Sequence, residues 1–483
     1  MTDHRLSTGV EGLDEVLCGG LIGGRTYLLT GPPGSGKTTL GWHFLVDGVA
    51  AGEPVLYISF AEPEAELRDN AERSGFDPRT VDVLDLSPAA ELFAQSESYD
   101  IFSAREVESE PTTARIVETM ARVKPRRVFV DSMTHLRHLA SDAYQFRRQA
   151  LAFLRFLSAH DTTVMITSES TPGAPDDDLR FIVDGVIELG FVNRGRDIAV
   201  LKYRGSDCRH GRHALALGAE GVNVFPRLVP ESFARPFLAA QLGSGLPDLD
   251  ELLGGGIERG TVTLISGPTG VGKTTLGVQV LTEAANRGDR CALYTFDERA
   301  ETVVSRCEGV GMGVRRLIAE GTLSIVELEA LKFGPDEFAA IVRRDIEERG
   351  TQVVMIDSVS GYRVSVSGDL AERLHALARY LQNIGVTVIL VDELRDVVSF
   401  HVTDVGISYL ADNILFLRYV ERVIGEAIEL RKGIGVLKKR LSDFQKTLRE
   451  FEVAHDGIRI GEALRLSSIL NQLPADERTP TNA

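Results

Sequence analysis

The sequence predicts an α/β protein of two tandem domains, each a mainly parallel sheet flanked by helices with a β-hairpin at its C-terminal end. Three features point to it. The chain is written twice, short β-branched apolar runs alternate with helical patterns, and each copy ends in an alternating strand–turn–strand segment. A length of 483 residues suits two or more domains at roughly 100–200 residues each.

The duplication can be followed residue by residue. GVEGLDEVLCGG around Leu13 matches GLPDLDELLGGG around Leu249, and Lys37 of GPPGSGKTTL matches Lys273 of GPTGVGKTTL. Phe60-Ala61-Glu62 matches Phe296-Asp297-Glu298, Lys202-Tyr203-Arg204 matches Lys438-Lys439-Arg440, and Gly221 matches Gly457. All five pairs share one offset along the chain, whereas Asp131 and Asp357 stand closer together than that offset. The first copy therefore carries a longer acidic stretch over about 85–112, and the second has extra residues around 420–436. So long a period means tandem domains and not a solenoid. The expected boundaries are 1–230 for the first domain, 231–461 for the second, and 462–483 for a short, partly disordered tail. The join falls within 225–238, where FPRLVPESFARPF carries three prolines and no helical period.

Within each copy the elements follow one order. A short apolar run (Thr26–Thr30; Val262–Ser266) leads into a glycine-rich turn and then a helix-like segment. Further runs follow at Val55–Phe60, Val128–Val130 and Thr163–Ile166, and in the second copy at Ala292–Phe296, Val353–Ile356 and Val386–Val391. Continuous β-branched runs separated by helical patterns read as buried parallel strands. AEGVNVF and AHDGIRIG alternate around a turn dipeptide, the mark of a hairpin.

Composition narrows the class. The chain is 43% hydrophobic and 25% charged, ordinary for a soluble globular protein. A net charge of −17 disfavours a protein that coats DNA, because phosphate neutralisation needs clustered Lys and Arg. Cys18, Cys208, Cys291 and Cys307 are scattered without CxxC spacing, so neither a disulfide scaffold nor a zinc site is expected. No apolar run approaches the ~20 residues of a membrane span, and no apolar stretch follows a basic N-terminus. The expectation is a soluble cytoplasmic protein without a membrane partner.

The glycine-rich turns carry the chemistry. Both fit G-x-x-x-x-G-K-[ST], with Gly34, Ser35, Gly36, Lys37, Thr38 and Thr39 in the first copy and Gly270, Val271, Gly272, Lys273, Thr274 and Thr275 in the second. Backbone N–H groups turn inward around phosphate oxygens, and the following helix N-terminus adds its dipole. The lysine reaches the terminal phosphates of ATP, and Thr38 or Thr274 ligates Mg²⁺. Asp131 and Asp357 end apolar runs, which places a carboxylate at the sheet edge where it completes the Mg²⁺ shell.

Glu62 and Glu298 lie equally far beyond their P-loop lysines, also at predicted strand ends. There a carboxylate orients or deprotonates the water that attacks the γ-phosphate. A glutamate on the strand next to the P-loop strand is the RecA-type arrangement and separates this chain from GTPases and small-molecule P-loop kinases. Lys202 and Arg204, and likewise Lys438 and Arg440, share one side of a strand by their i, i+2 spacing. In RecA-like rings such cations reach a phosphate of the neighbouring subunit, so these residues are candidate trans contacts to ATP.

At these positions the chain resembles the KaiC family, double RecA-like ATPases of the cyanobacterial circadian clock and their wider bacterial and archaeal relatives. The resemblance spans roughly residues 5–462 and rests on the STGVEGLDE and GSGLPDLDE openings, both P-loops, the Phe-x-Glu turns, the Lys-x-Arg strands and the segment 412–421. It implies a homohexameric ring of two ATPase tiers with ATP between neighbours, acting in circadian-type timing or signalling. It also implies serine/threonine autokinase activity in the second tier. Compatible partners are a small KaiB-like protein or a signalling kinase or regulator.

Departures from the family pattern bear on this. The family has two adjacent glutamates after the Phe; the first copy has Ala61-Glu62, and the second has Asp297-Glu298, with Asp297 where the kinase base stands. The phosphorylated Ser-Thr pair falls on Ser408-Tyr409, which leaves Ser408 as the candidate acceptor and Thr403 as a nearby substitute. Two other readings compete with this one. One is a RecA/RadA/DnaB-like DNA-handling ATPase, disfavoured because TPGAPDDDLRF is acidic and LRDVVSFHVTDVG is not basic. The other is a scaffold that binds ATP without hydrolysing it, against which both P-loops and both glutamates speak.

Overall fold

The β-branched runs form the buried centre of two similar sheets. The computed structural model describes residues 4–87, 109–139, 142–159, 161–169, 176–192, 195–233, 235–237, 240–329, 331–365, 370–393, 407–424 and 427–464. Most of the first copy's acidic stretch, the tail beyond 464, Thr403 and much of the two segments read for DNA contact lie outside these residues. The chain divides into two compact units, Met1–Arg227 and Leu228–Ala483.

The first unit holds a nine-stranded sheet. Six strands are parallel, in the order Asp82–Asp85, Val55–Ser59, Arg127–Asp131, Thr163–Ser168, Thr26–Thr30 and Gly185–Val192. Gly195–Tyr203, Arg212–Gly218 and Gly221–Phe225 extend it antiparallel. The second unit repeats the order with Leu323–Glu327, Cys291–Thr295, Val353–Asp357, Thr387–Glu393, Val262–Gly267 and Asn413–Ile424 in parallel. Ala427–Lys439, Arg449–Ala454 and Gly457–Ala463 then run antiparallel. In both units the predicted terminal hairpin is present. The extra residues of the second copy lengthen the preceding antiparallel pair, to strands of 12 and 13 residues against 8 and 9 in the first.

Every residue of Thr26–Thr30 and Val55–Ser59 is buried, because helices cover both faces of the sheet. Tyr27, Leu29, Val55 and Tyr57 enter one core cluster, and Leu28, Leu56 and Ile58 enter the other, as the two-residue period of a strand requires. The Lys37–Ala50 helix packs Leu40, Phe44 and Leu45 into the first of these clusters.

One expectation about neighbours is corrected by the sheet order. The strand leading to Glu62 follows the P-loop strand in the chain, but Arg127–Asp131 and Thr163–Ser168 lie between them in the sheet. Parallel strands need crossover connections, so succession in the chain does not imply pairing. The glutamate reaches the site because all these strands end at the same carboxyl edge.

Candidate active sites

Each P-loop leaves the carboxyl end of a central strand and enters a 14-residue helix at once. Gly36 and Gly272 stand at the helix N-caps with φ of 108° and 114°, a region that costs a residue bearing Cβ. That conformation turns the free N–H groups of the helix start toward the loop interior. Lys37 is buried, and its Nζ donates to the Gly31 and Pro32 carbonyls at 2.8 and 3.1 Å. Lys273 Nζ donates to the Pro268 carbonyl at 2.9 Å. Burial lowers the pKa of both lysines, opposed by the nearby carboxylates, Glu169, Asp131 and Asp176 at Lys37 and Glu393, Asp357 and Asp392 at Lys273.

The next side chain meets the strand-end carboxylate. Thr38 Oγ1 donates to Asp131 Oδ2 at 2.8 Å, and Thr274 Oγ1 donates to Asp357 Oδ2 at 2.6 Å. Tyr57 Oη and Thr167 Oγ1 also donate to Asp131. A hydroxyl and a carboxylate brought together beside a phosphate-cradling loop suit a hard divalent cation. Ser35 Oγ, buried in the first loop without a hydrogen-bond partner among the described residues, suits a loop built to receive phosphate oxygens. The residues therefore fit Mg²⁺ and a nucleoside triphosphate. Burial pushes Asp357 up to about 6, with Glu298 and Asp297 adding to the rise and the Thr274 hydroxyl opposing it.

Glu62 and Glu298 sit just past neighbouring strand ends. The Phe60 and Phe296 N–H groups donate to the Asp131 and Asp357 backbone carbonyls, each at 2.8 Å, so each Phe-x-Glu turn is anchored to the backbone of the strand-end aspartate. Ser59 Oγ donates to the Glu62 carbonyl at 2.7 Å, and Thr295 Oγ1 to the Glu298 carbonyl at 3.0 Å. Burial, then the charge of Asp131, raises the pKa of Glu62. Asp297 is engaged differently from Glu298 and accepts from Ser358 Oγ at 2.5 Å.

Several residues of the site escaped sequence reasoning. Asp176 is buried and accepts from Thr30 Oγ1 and Ser168 Oγ, each at 2.7 Å. In the second unit Asp392 occupies the strand position that pairs with Ser266, as Ser168 pairs with Thr30. A buried carboxylate thus stands near each P-loop lysine, but from different points in the chain, which hid it from a comparison at constant offset. Glu393 ends, and Glu169 directly follows, the strand beside the P-loop strand, and a comparison at their own, shorter offset would have found that pair. The partners of the two glutamates also differ. Neutral Asn70 stands beside Glu62, whereas Arg306, at the matching position of the second copy, forms an ion pair with Glu298 at 2.8 Å.

The remaining candidates lie at the opposite edge. Gly185 pairs with Tyr203 and Thr263 with Asn413, so Lys202, Arg204, Lys438, Arg440 and Ser408 cluster at the amino edge of their parallel strands, away from their own P-loops. Lys202 Nζ donates to the Arg180 and Val183 carbonyls, both at 2.7 Å, and Lys438 Nζ donates to those of Ser408 and Ala411 at 3.1 and 2.6 Å. Arg204 and Arg440 come just after the strand ends, at 4.0 and 3.2 Å from Asp184 and Asp412. Ser408 is half-buried, in the turn before Asn413–Ile424.

Two phosphate-cradling loops, each facing a carboxylate at the carboxyl edge of a mainly parallel sheet, define a tandem P-loop ATPase. The family model for the KaiC ATPase matches residues 6–229 and again 242–465, and the chain belongs to that family. The circadian clock protein KaiC3 of Synechocystis is 29% identical, over 96% of this chain and 92% of its own length. The circadian clock oscillator proteins KaiC of Prochlorococcus marinus and Parathermosynechococcus lividus are each 28% identical, covering 96% and 95% of this chain and 93% and 85% of their own. Among the described residues no helix is long and apolar enough to cross a membrane.

Proposed function

We propose that the protein works as a homohexameric ring that hydrolyses ATP in both domains and serves circadian-type timing or signalling. The observation that carries this reading is the repeated separation of each P-loop from its basic pair. Arg204 and Arg440 lie at the sheet edge away from their own loops, so a phosphate within their reach belongs to a neighbouring copy. Lys202 and Lys438 bind instead the carbonyls of their own chain's segments before Gly185–Val192 and Asn413–Ile424.

In each site the loop N–H groups of Gly34–Thr39 or Gly270–Thr275 bind the phosphates, and Lys37 or Lys273 turns from the loop carbonyls to the terminal phosphoryl oxygens. Thr38 with Asp131, and Thr274 with Asp357, would hold Mg²⁺, which supplies charge neutralisation at those oxygens. Glu62 and Glu298 orient the attacking water and take up its proton. Ser408 is the candidate phosphoryl acceptor of the second domain. It lies across the sheet from its own Asp297, so the base and the nucleotide for that transfer come from an adjacent copy. Relatives that are circadian clock proteins favour a KaiB-like protein or a signalling regulator as partner.

The test is phosphate release from γ-labelled ATP by the purified chain. Lys37→Ala should remove the first domain's share and Lys273→Ala the second's, because the γ-phosphate charge loses its compensation. A double variant that hydrolyses ATP at the parent rate would refute the site assignment.

A further inference from the structure

The two domains share fold, loop, metal-side carboxylate and glutamate, yet differ in what touches the glutamate. In the first, the side chain beside Glu62 from the Glu64–Arg73 helix is the neutral Asn70. In the second, the corresponding helix Ala300–Glu308 presents Arg306, whose Nη1 donates to Glu298 Oε1 at 2.8 Å. The pair is half-buried, and the other carboxylate oxygen, Oε2, is buried with no hydrogen-bond partner among the described residues. Arg306 Nε and Nη2 are likewise buried without a hydrogen-bond partner among the described residues, and the charge of Asp357 lies close enough to act on the guanidinium as well.

We infer that Arg306 is a positioning residue that restrains Glu298 and slows hydrolysis in the second domain, a restraint that Asn70, at the matching position, does not place on Glu62. A guanidinium at hydrogen-bond distance occupies one carboxylate oxygen and holds the side chain in place, which leaves it less free to align with the attacking water. Asn70 leaves the charge of Glu62 uncompensated. An ion pair this exposed implies an effect of about two- to fivefold in rate. The inference rests on the reading of Glu62 and Glu298 as the water-orienting bases.

The experiment isolates each domain in the full-length chain. In a Lys37→Ala background, Arg306→Asn should raise kcat about two- to fivefold at unchanged KM for ATP, and Arg306→Lys, which keeps the charge, should leave it low. In a Lys273→Ala background, Asn70→Arg should lower kcat by a similar factor, again at constant KM. The inference is overturned if Arg306→Asn leaves or lowers kcat while nucleotide binding is intact. If that variant does not fold, the Asn70→Arg arm decides, and an unchanged rate there overturns it. Glu298→Gln in the Lys37→Ala background separates the two failures. Parent-like hydrolysis sinks the base reading itself, whereas lost hydrolysis with no effect of Arg306→Asn sinks only the restraint.

Discussion

Replacing one glycine in each P-loop helix should have unequal consequences in the two domains. Gly41 and Gly277 match at the constant offset of the duplication and occupy the same helical position. A Cβ at Gly41 would lie 2.1 Å from Phe129 Cζ, with two more ring atoms within 2.4 Å. Phe129 is fully buried and held edge-on by Tyr57 at 5.1 Å, so the ring has nowhere to go. A Cβ at Gly277 would meet Met355 Cε and Sδ at 2.6 and 2.7 Å, the far end of a flexible side chain. The helix itself gains ~1 kcal/mol from alanine at either site. Overpacking against a fixed ring costs about 3 kcal/mol, at the upper end of the usual range. Gly41→Ala should therefore lose about 2 kcal/mol, which for a domain of this size means a fall of roughly 4–8 °C in Tm. Gly277→Ala should stay within about 1 kcal/mol of the parent, because Met355 can change rotamer. Trp42, the single tryptophan, is buried in the first P-loop helix, so its fluorescence follows first-domain unfolding alone. Calorimetry reads both transitions. An unmoved Trp42 midpoint in Gly41→Ala, or an equal loss in the second transition of Gly277→Ala, would refute the packing argument. Because the same helix carries Thr38 to Asp131, Gly41→Ala should also depress first-domain hydrolysis and spare the second.

Three further outcomes are expected. The raised pKa of Glu62 places the acid limb of first-domain hydrolysis, measured with Lys273→Ala, above the ordinary 4.5, since the base must be ionised. Asn70→Ala should move that limb higher still, because the neighbouring Asn70 side chain pulls the pKa down. The linked stability has the opposite sense: a folded pKa above the unfolded one favours the folded chain below the unfolded value and loses that contribution as pH rises through the folded one. With Mg-ATP, light scattering should give a mass near six times 52.7 kDa, and Arg204→Ala or Arg440→Ala should reduce it; a monomer at micromolar concentration would exclude the ring. Mass spectrometry after incubation with Mg-ATP should place phosphate on Ser408, lost in Ser408→Ala without loss of ATP hydrolysis; an unmodified Ser408 peptide would remove the kinase activity.

Features that depend on local pattern were legible in the chain of letters. Two P-loops, the strand-end Asp131 and Asp357, the Phe-x-Glu turns, the buried central strands and the terminal hairpins all follow from spacing, periodicity and turn chemistry, and the duplication shows each of them twice. Which strands are neighbours had to wait for the folded sheet, because crossover connections separate order in the chain from order in space. The fold also placed Lys202, Arg204 and Ser408 on the edge away from their own nucleotide loops, since the sense of a strand is invisible until it is paired. It brought Asp176 and Asp392 to equivalent points from unmatched positions, because a buried site requires a carboxylate in space and not at a fixed distance along the chain. Arg306 was visible in the sequence as a letter. Its meaning came from the helix that carries it against Glu298, where Coulomb interaction depends on a separation that no one-dimensional reading contains.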